Sequence, residues 1–192
     1  MPNQGSLPGF DPAIPTDRLF LAVFPDARHA AELDALATKH LTMRRLGGKR
    51  VEAGRLHVTL FHLGDYTELP PGLVAQASDA LSHLAAEPLA IRFDQIGRFS
   101  SRHATGAYVL TAGTGNEALY ALHGQLATHL RSAALAQHTR DSFTPHMTLA
   151  YDNAAVPFEP IEPVTWPVRE VLLIHSLLGK TRHIPLARKV LG

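Results

Sequence analysis

Cysteine is absent from the 192 residues, which excludes disulfides, thiolate metal ligands and a cysteine nucleophile. No excess of either charge is present: 18 Lys and Arg stand against 17 Asp and Glu, a net charge of +1. There is thus no global basic field of the kind that wraps duplex DNA, and an anionic ligand must be met by a local patch. No run approaches the ~20 apolar residues that span a bilayer, and the Pro- and Gly-rich start lacks a basic segment followed by an apolar one. The expectation is a cytoplasmic protein whose residues 1–16 form a loose tail. What is abundant is hydrophobic residue, 45% of the chain, enough for a packed core.

Periodicity divides the rest of the chain. Arg18 to Phe24 is a short apolar run closed by Pro25-Asp26, a strand followed by a helix start. Leu33, Leu36, Ala37, His40 and Leu41 recur at helical spacing up to Gly47-Gly48. Lys49 to Ala53 and Leu56 to Leu63 read as strands. A second helix follows Pro70-Pro71 with Leu73, Val74, Ala77, Leu81, Leu84 and Ala85 on one stripe. Leu89 to Phe99 and Ala107 to Ala112 read as strands, and a third helix carries Leu119, Leu122, Leu126, Leu130 and Ala133. Phe143 to Tyr151 is a strand, a Pro-rich loop runs through Pro163, and two strands close the chain around Val168 to Leu178 and Arg182 to Ala187. This order predicts an α+β fold with mainly antiparallel sheets and helices packed outside them.

One tripeptide recurs. His-x-Thr occurs four times, where chance predicts about one copy, so context must choose among the copies. His40 lies on a helical stripe, where a residue two positions on points away. His103 lies in a polar, Gly-containing connection. In Leu56-His57-Val58-Thr59-Leu60 and Pro145-His146-Met147-Thr148-Leu149, apolar and polar residues alternate, which on a strand puts His and Thr on one face. Two such strands across a cleft supply a base and an acid on opposite sides of a phosphorus atom. Histidine suits both tasks, because its ordinary pKa of about 6.5 gives access to neutral and protonated rings. Thr59 and Thr148 can donate hydrogen bonds to non-bridging phosphate oxygens. No His-Glu-x-x-His or comparable ligand spacing occurs, so no metal or other cofactor is called for.

The paired motifs resemble those of the 2H phosphoesterase superfamily, in its RNA 2',3'-cyclic phosphodiesterase or 2'-5' RNA ligase branch. The resemblance rests also on Arg18 to Val23, on Leu63-Gly64, on Phe143 to Ala150 and on Ser176 with the Leu-Leu-Gly that follows. It covers roughly residues 17–190 and implies one bilobal, pseudo-twofold domain with the site in a central cleft. It implies hydrolysis of a 2',3'-cyclic phosphate on RNA ends or nucleotides to a 2'-phosphate, with reverse 2'-5' ligation beside it. In that family pattern His57 is the proton donor to the leaving 3' oxygen and His146 the base that activates water. Phe61, Thr144 and Tyr151 stand where the family often has arginine or a neighbouring side chain, and they are candidate substrate contacts. Phe61 is expected on the face of His57 and Thr59. Replacement cations are sought among Arg44, Arg45, Lys49, Arg50, Lys180, Arg182 and His183. A monomer without an obligate protein partner is expected. The rival reading is a module that binds RNA ends or nucleotides in the same cleft with little turnover.

Overall fold

A computed structural model describes residues 14–99, 105–139 and 142–192. The first strand, β1 (Asp17–Val23), leads to α1 (Ala27–Met43), which starts where the Asp26 side chain accepts a hydrogen bond from the His29 amide at 2.9 Å. Such a cap satisfies a helix N–H group that has no partner within the helix. The helix stops before the double glycine: Arg45 adopts the left-handed conformation (φ 54°), and the Leu46 amide returns to the Leu41 carbonyl, a common helix-ending hydrogen bond. Next come the two-residue strand β2 (Lys49–Arg50), a 3-10 turn at Ala53–Arg55 and β3 (Val58–Tyr66). Then follow α2 (Pro71–Ser82), β4 (Leu89–Arg98), β5 (Gly106–Thr111) and α3 (Glu117–Ser132). β6 (His146–Asp152), β7 (Glu159–Val168), β8 (Glu170–Leu177) and β9 (Arg182–Val190) complete the chain.

The expected α+β class and antiparallel pairing are present. The strands lie in the order β7-β4-β5-β6-β3-β1-β8-β9, with β2 added on β6. This path has two four-stranded halves, and their inner strands β3 and β6 meet through the antiparallel pair Val58 and Met147. Those two residues are the middle positions of the two His-x-Thr tripeptides, so the motifs lie at the seam of the sheet.

Alternation along β1 sorts the faces. Leu19, Leu21 and Val23 join Val58, Met147 and the buried stripes of all three helices in the main core. Phe20 and Ala22 turn to the other face, where they pack with Ile174, Phe24 and Leu172. Helices therefore cover one face, and the opposite face stays open at the seam.

The Pro-rich stretch is a strand and not a loop. Pro160, Pro163 and Pro167 lie in β7, which pairs with β4 and forms an edge of the sheet. An edge position tolerates prolines because one side of the strand has no ladder to donate to.

Candidate active site

With Val58 opposite Met147, extending the antiparallel register by one residue each way sets His57 opposite Thr148 and Thr59 opposite His146. Because Val58 and Met147 are fully buried on the helix side, both histidines and both threonines project from the open face.

The two imidazoles are held by the same device. His57 Nδ1 lies 2.6 Å from the Arg55 carbonyl oxygen, and His146 Nδ1 lies 2.8 Å from the Thr144 carbonyl oxygen. A carbonyl only accepts, so Nδ1–H donates in each ring and Nε2 is left for a substrate. A neutral ring presents a lone pair there, and a protonated ring presents an acidic N–H. The segment before β6 is anchored in turn: the buried Thr111 hydroxyl donates to the Pro145 carbonyl at 2.8 Å.

The surroundings of the two rings differ. His57 stacks on Phe20 (4.9 Å between ring centroids) and Phe24 (5.2 Å), with His183 edge-on at 5.4 Å. Burial pushes the His57 pKa down to about 4, opposed by the Arg55 carbonyl and reinforced by the charges of Arg55, His146 and Arg18. His183, near the Arg55 guanidinium, is likewise held down to about 4, by burial first and then by His57, Arg55 and Arg18. His146 is partly exposed, and among the described residues its aromatic neighbour is Phe99, edge-on at 5.1 Å.

A pH effect on stability follows. Between pH about 6.5 and about 4 the unfolded chain protonates His57 while the folded ring stays neutral, so stability falls as pH falls through that window. The His57 shift sets an upper limit of about 3 kcal/mol on its share. The urea midpoint is expected to drop from pH 7 to pH 4.5, and less steeply in His57→Gln. Equal slopes in the two proteins would contradict the assignment.

Both His-x-Thr strands line one cavity of about 640 Å³. Of the residues singled out in the sequence, His57, Thr59, His146, Thr148 and Tyr151 line it, as do Lys49, Arg50 and His183. Arg18, Arg55 and His62 line it too, three residues that the motif analysis did not select. Among the described residues that line it, none is an aspartate or a glutamate.

Phe61 departs from its expected face. Along β3, Ala22 pairs with Thr59, Leu21 with Phe61 and Phe20 with His62, so Leu60 is an extra residue in the ladder. A bulge of this kind resets the alternation: His62 enters the cavity, while Phe61 is 3% exposed and stacks on His123 at 4.2 Å. The Thr144 side chain does not line the main cavity either. With Phe61 it borders a neighbouring cavity of about 460 Å³ that shares Thr59, His62 and His146 with the first. Its carbonyl is what reaches the site, through His146.

Other candidates lie elsewhere. His40 sits 3.9 Å from Glu159, and Arg44 pairs with the same carboxylate, away from the cavity lining. Arg45, Lys180 and Arg182 do not line it, and His103 lies outside the described residues. Arg18 is fixed by a two-pronged pair with Asp65, 2.7 Å on each prong, and His62 adds a contact at 2.9 Å. The Arg18 hydrogen bond is the main cause that lowers the Asp65 carboxyl to about 2.

Matched half-sheets that each give a His-x-Thr strand to one cavity define the 2H phosphoesterase class. The chain belongs to the 2'-5' RNA ligase superfamily, whose family model matches residues 25–179. Among solved structures it is similar to apo Escherichia coli LigT, at 25% identity and a TM-score of 0.71 over 93% of this chain and 99% of that one. LigT complexed with NADP+ gives 26% identity and a TM-score of 0.72 at the same coverage. A Thermus thermophilus protein, TT0787, gives 27% and 0.69 over 90% of this chain and 97% of that one. No curated protein matches the sequence significantly.

Proposed function

We propose that this protein hydrolyses 2',3'-cyclic phosphates on RNA ends or nucleotides to 2'-phosphates, with two histidines as acid and base and no metal. The observation that carries the proposal is the pair of imidazoles on adjoining antiparallel strands, each fixed through Nδ1 to a carbonyl two residues earlier. Such a pair offers two Nε2 atoms to one phosphate. None of the described residues that line the cavity is a carboxylate, which suits an anionic substrate, and the related E. coli LigT has been crystallised complexed with phosphate.

In the proposed reaction His146 Nε2 takes a proton from water as its oxygen attacks phosphorus. The bond from phosphorus to the 3' oxygen breaks, and His57 Nε2–H gives its proton to that oxygen. The product is a 2'-phosphate and a free 3'-hydroxyl; His57 ends neutral, His146 ends protonated, and exchange with solvent resets both. The Thr59 and Thr148 hydroxyls donate to the non-bridging oxygens and hold phosphorus in line, so that the reacting atoms meet without a further loss of freedom. His57 is neutral at pH 7 in the free protein, and a phosphate anion beside it favours its protonated form. Binding of substrate thereby arms the acid. With the 5'-hydroxyl of a second chain in place of water, the same steps form a 2'-5' bond.

Product analysis tests the reaction. Adenosine 2',3'-cyclic phosphate is expected to give adenosine 2'-phosphate, followed by phosphorus NMR. A 3'-phosphate as the main product would contradict the placement of acid and base, and binding without any product would leave only a nucleotide-binding module.

A further inference from the structure

The seam between the half-sheets is closed on one side and open on the other. Among the described residues, the ladder between β3 and β6 is the single pair Val58 and Met147. Past Met147 the β2 segment continues along β6: the Val51 amide donates to the Leu149 carbonyl at 2.9 Å, and Arg50 and Lys49 pair with Ala150 and Tyr151. On the side that leads back from His146, backbone pairing is blocked. Pro145 has no N–H to give to a ladder, its carbonyl accepts from Thr111, and the Thr144 carbonyl accepts from His146. Opposite, the extra residue Leu60 interrupts the register of β3. Here the cavity of about 460 Å³ opens beside Thr59 and His146.

Side chains bridge this gap instead. The His123 ring, carried by α3, lies between Phe61 of β3 and Phe143 of the segment before β6. Its centroid is 4.2 Å from the first ring and 4.0 Å from the second, at interplanar angles of 12° and 1°. Three flat rings are thus stacked face to face at van der Waals contact. Tyr120, one turn earlier on α3, meets Phe143 edge-on at 5.7 Å and backs the stack. Burial holds the His123 pKa below its ordinary value, opposed by a hydrogen bond to the Leu60 carbonyl and reinforced by Arg131, so the ring is neutral at pH 7. Phe61 stands two residues past Thr59, and Phe143 adjoins Thr144, whose carbonyl holds His146. One ring therefore ties together the two backbones that carry the site.

We infer that His123 is a positioning residue, a flat wedge between Phe61 and Phe143 that sets the separation of the two His-x-Thr strands where their ladder ends, and with it the spacing of Thr59 and His146 about the phosphate. This rests on the function proposed above and adds to it a residue that acts through its neighbours. The property that counts is the thickness of the ring. Another flat ring keeps the spacing, whereas a branched aliphatic side chain of comparable bulk has no flat face and forces the phenyl rings apart.

The test compares His123→Phe with His123→Leu on a nucleoside 2',3'-cyclic phosphate at pH 7. His123→Phe is expected to keep kcat within about threefold of the parent, and His123→Leu to lose about 10- to 100-fold in kcat with KM nearly unchanged, as for a small misplacement of reacting groups. Matching urea midpoints of the two variants show that the loss is not one of folding. If His123→Leu does not fold, His123→Ala, which lets the phenyl rings collapse together, is read by the same comparison with His123→Phe. In the parent, the carbon-bound ring protons of His123 should resonate upfield of those of the exposed His83, because they lie over two phenyl faces. Equal kcat in the flat and the aliphatic variant, whether both retained or both lost, would overturn the wedge while leaving the hydrolysis intact. If the parent turns over no cyclic phosphate, the proposed reaction fails. The wedge is then decided by titrating inorganic phosphate against the His146 ring resonances: weaker binding in the aliphatic variant than in His123→Phe supports it, and equal binding overturns it.

Discussion

Alanine at His57 or at His146 is expected to lower turnover of a 2',3'-cyclic phosphate by about 10²- to 10⁴-fold each, the usual contribution of a positioned general acid or base. The double variant should lose far less than the product of the two single losses, because a base without its acid, or an acid without its base, completes no displacement. His40→Ala should retain turnover, since its ring lies against Glu159 and outside the cavity lining. Circular dichroism and a melting curve at pH 7 show whether each variant is folded. A folded His146→Ala protein with parental turnover would remove His146 from the chemistry.

The second large effect concerns the seam. Met147 is fully buried and pairs with Val58 where the two half-sheets meet. Met147→Ala is expected to cost about 2–5 kcal/mol, from the lost transfer energy of the side chain plus the cavity left behind. Turnover should fall as well, because His146 and Thr148 flank that position on the strand and a shift of a fraction of an ångström alters their aim. Val190→Ala, at a position 62% exposed on the edge strand β9, should change stability by no more than about 0.5 kcal/mol. Urea denaturation of both variants at pH 7 checks this. Equal losses in the two would show that the seam is not a point of special packing.

Much of this architecture is written in local periodicity. The apolar stripe Leu33, Ala37 and Leu41 does bury against the sheet, and the alternation around His57 and His146 marks the two strands that meet at the seam. That alternation assumes an unbroken ladder, and for this reason it fails at Leu60. A bulge depends on which strand lies alongside, so nothing within Leu56 to Leu63 says that Phe61 turns inward and His62 outward. Pairing likewise decides the fate of Pro160, Pro163 and Pro167, which a central strand would reject and an edge strand accepts.

The helix end is a subtler case. Gly47-Gly48 is the obvious stop in the sequence, but Arg45 takes the left-handed position first. Gly48 serves a different purpose, the close approach of β2 to Tyr151. Among the side chains that line the cavity, His183 comes from a segment 128 residues away from Arg55 in sequence, and no local pattern links it to His57. Only the pairing of β1 with both β3 and β8, and of β8 with β9, brings those segments to one cavity.

If two histidines open the cyclic phosphate without a metal, as proposed, single-turnover hydrolysis of a nucleoside 2',3'-cyclic phosphate must persist in the parent protein dialysed against EDTA, with the chelator kept in the assay. The predicted result is formation of the 2'-phosphate at the same rate with and without chelator, and its near-complete loss in His146→Ala. Activity that vanishes in EDTA and returns with zinc or manganese would contradict it.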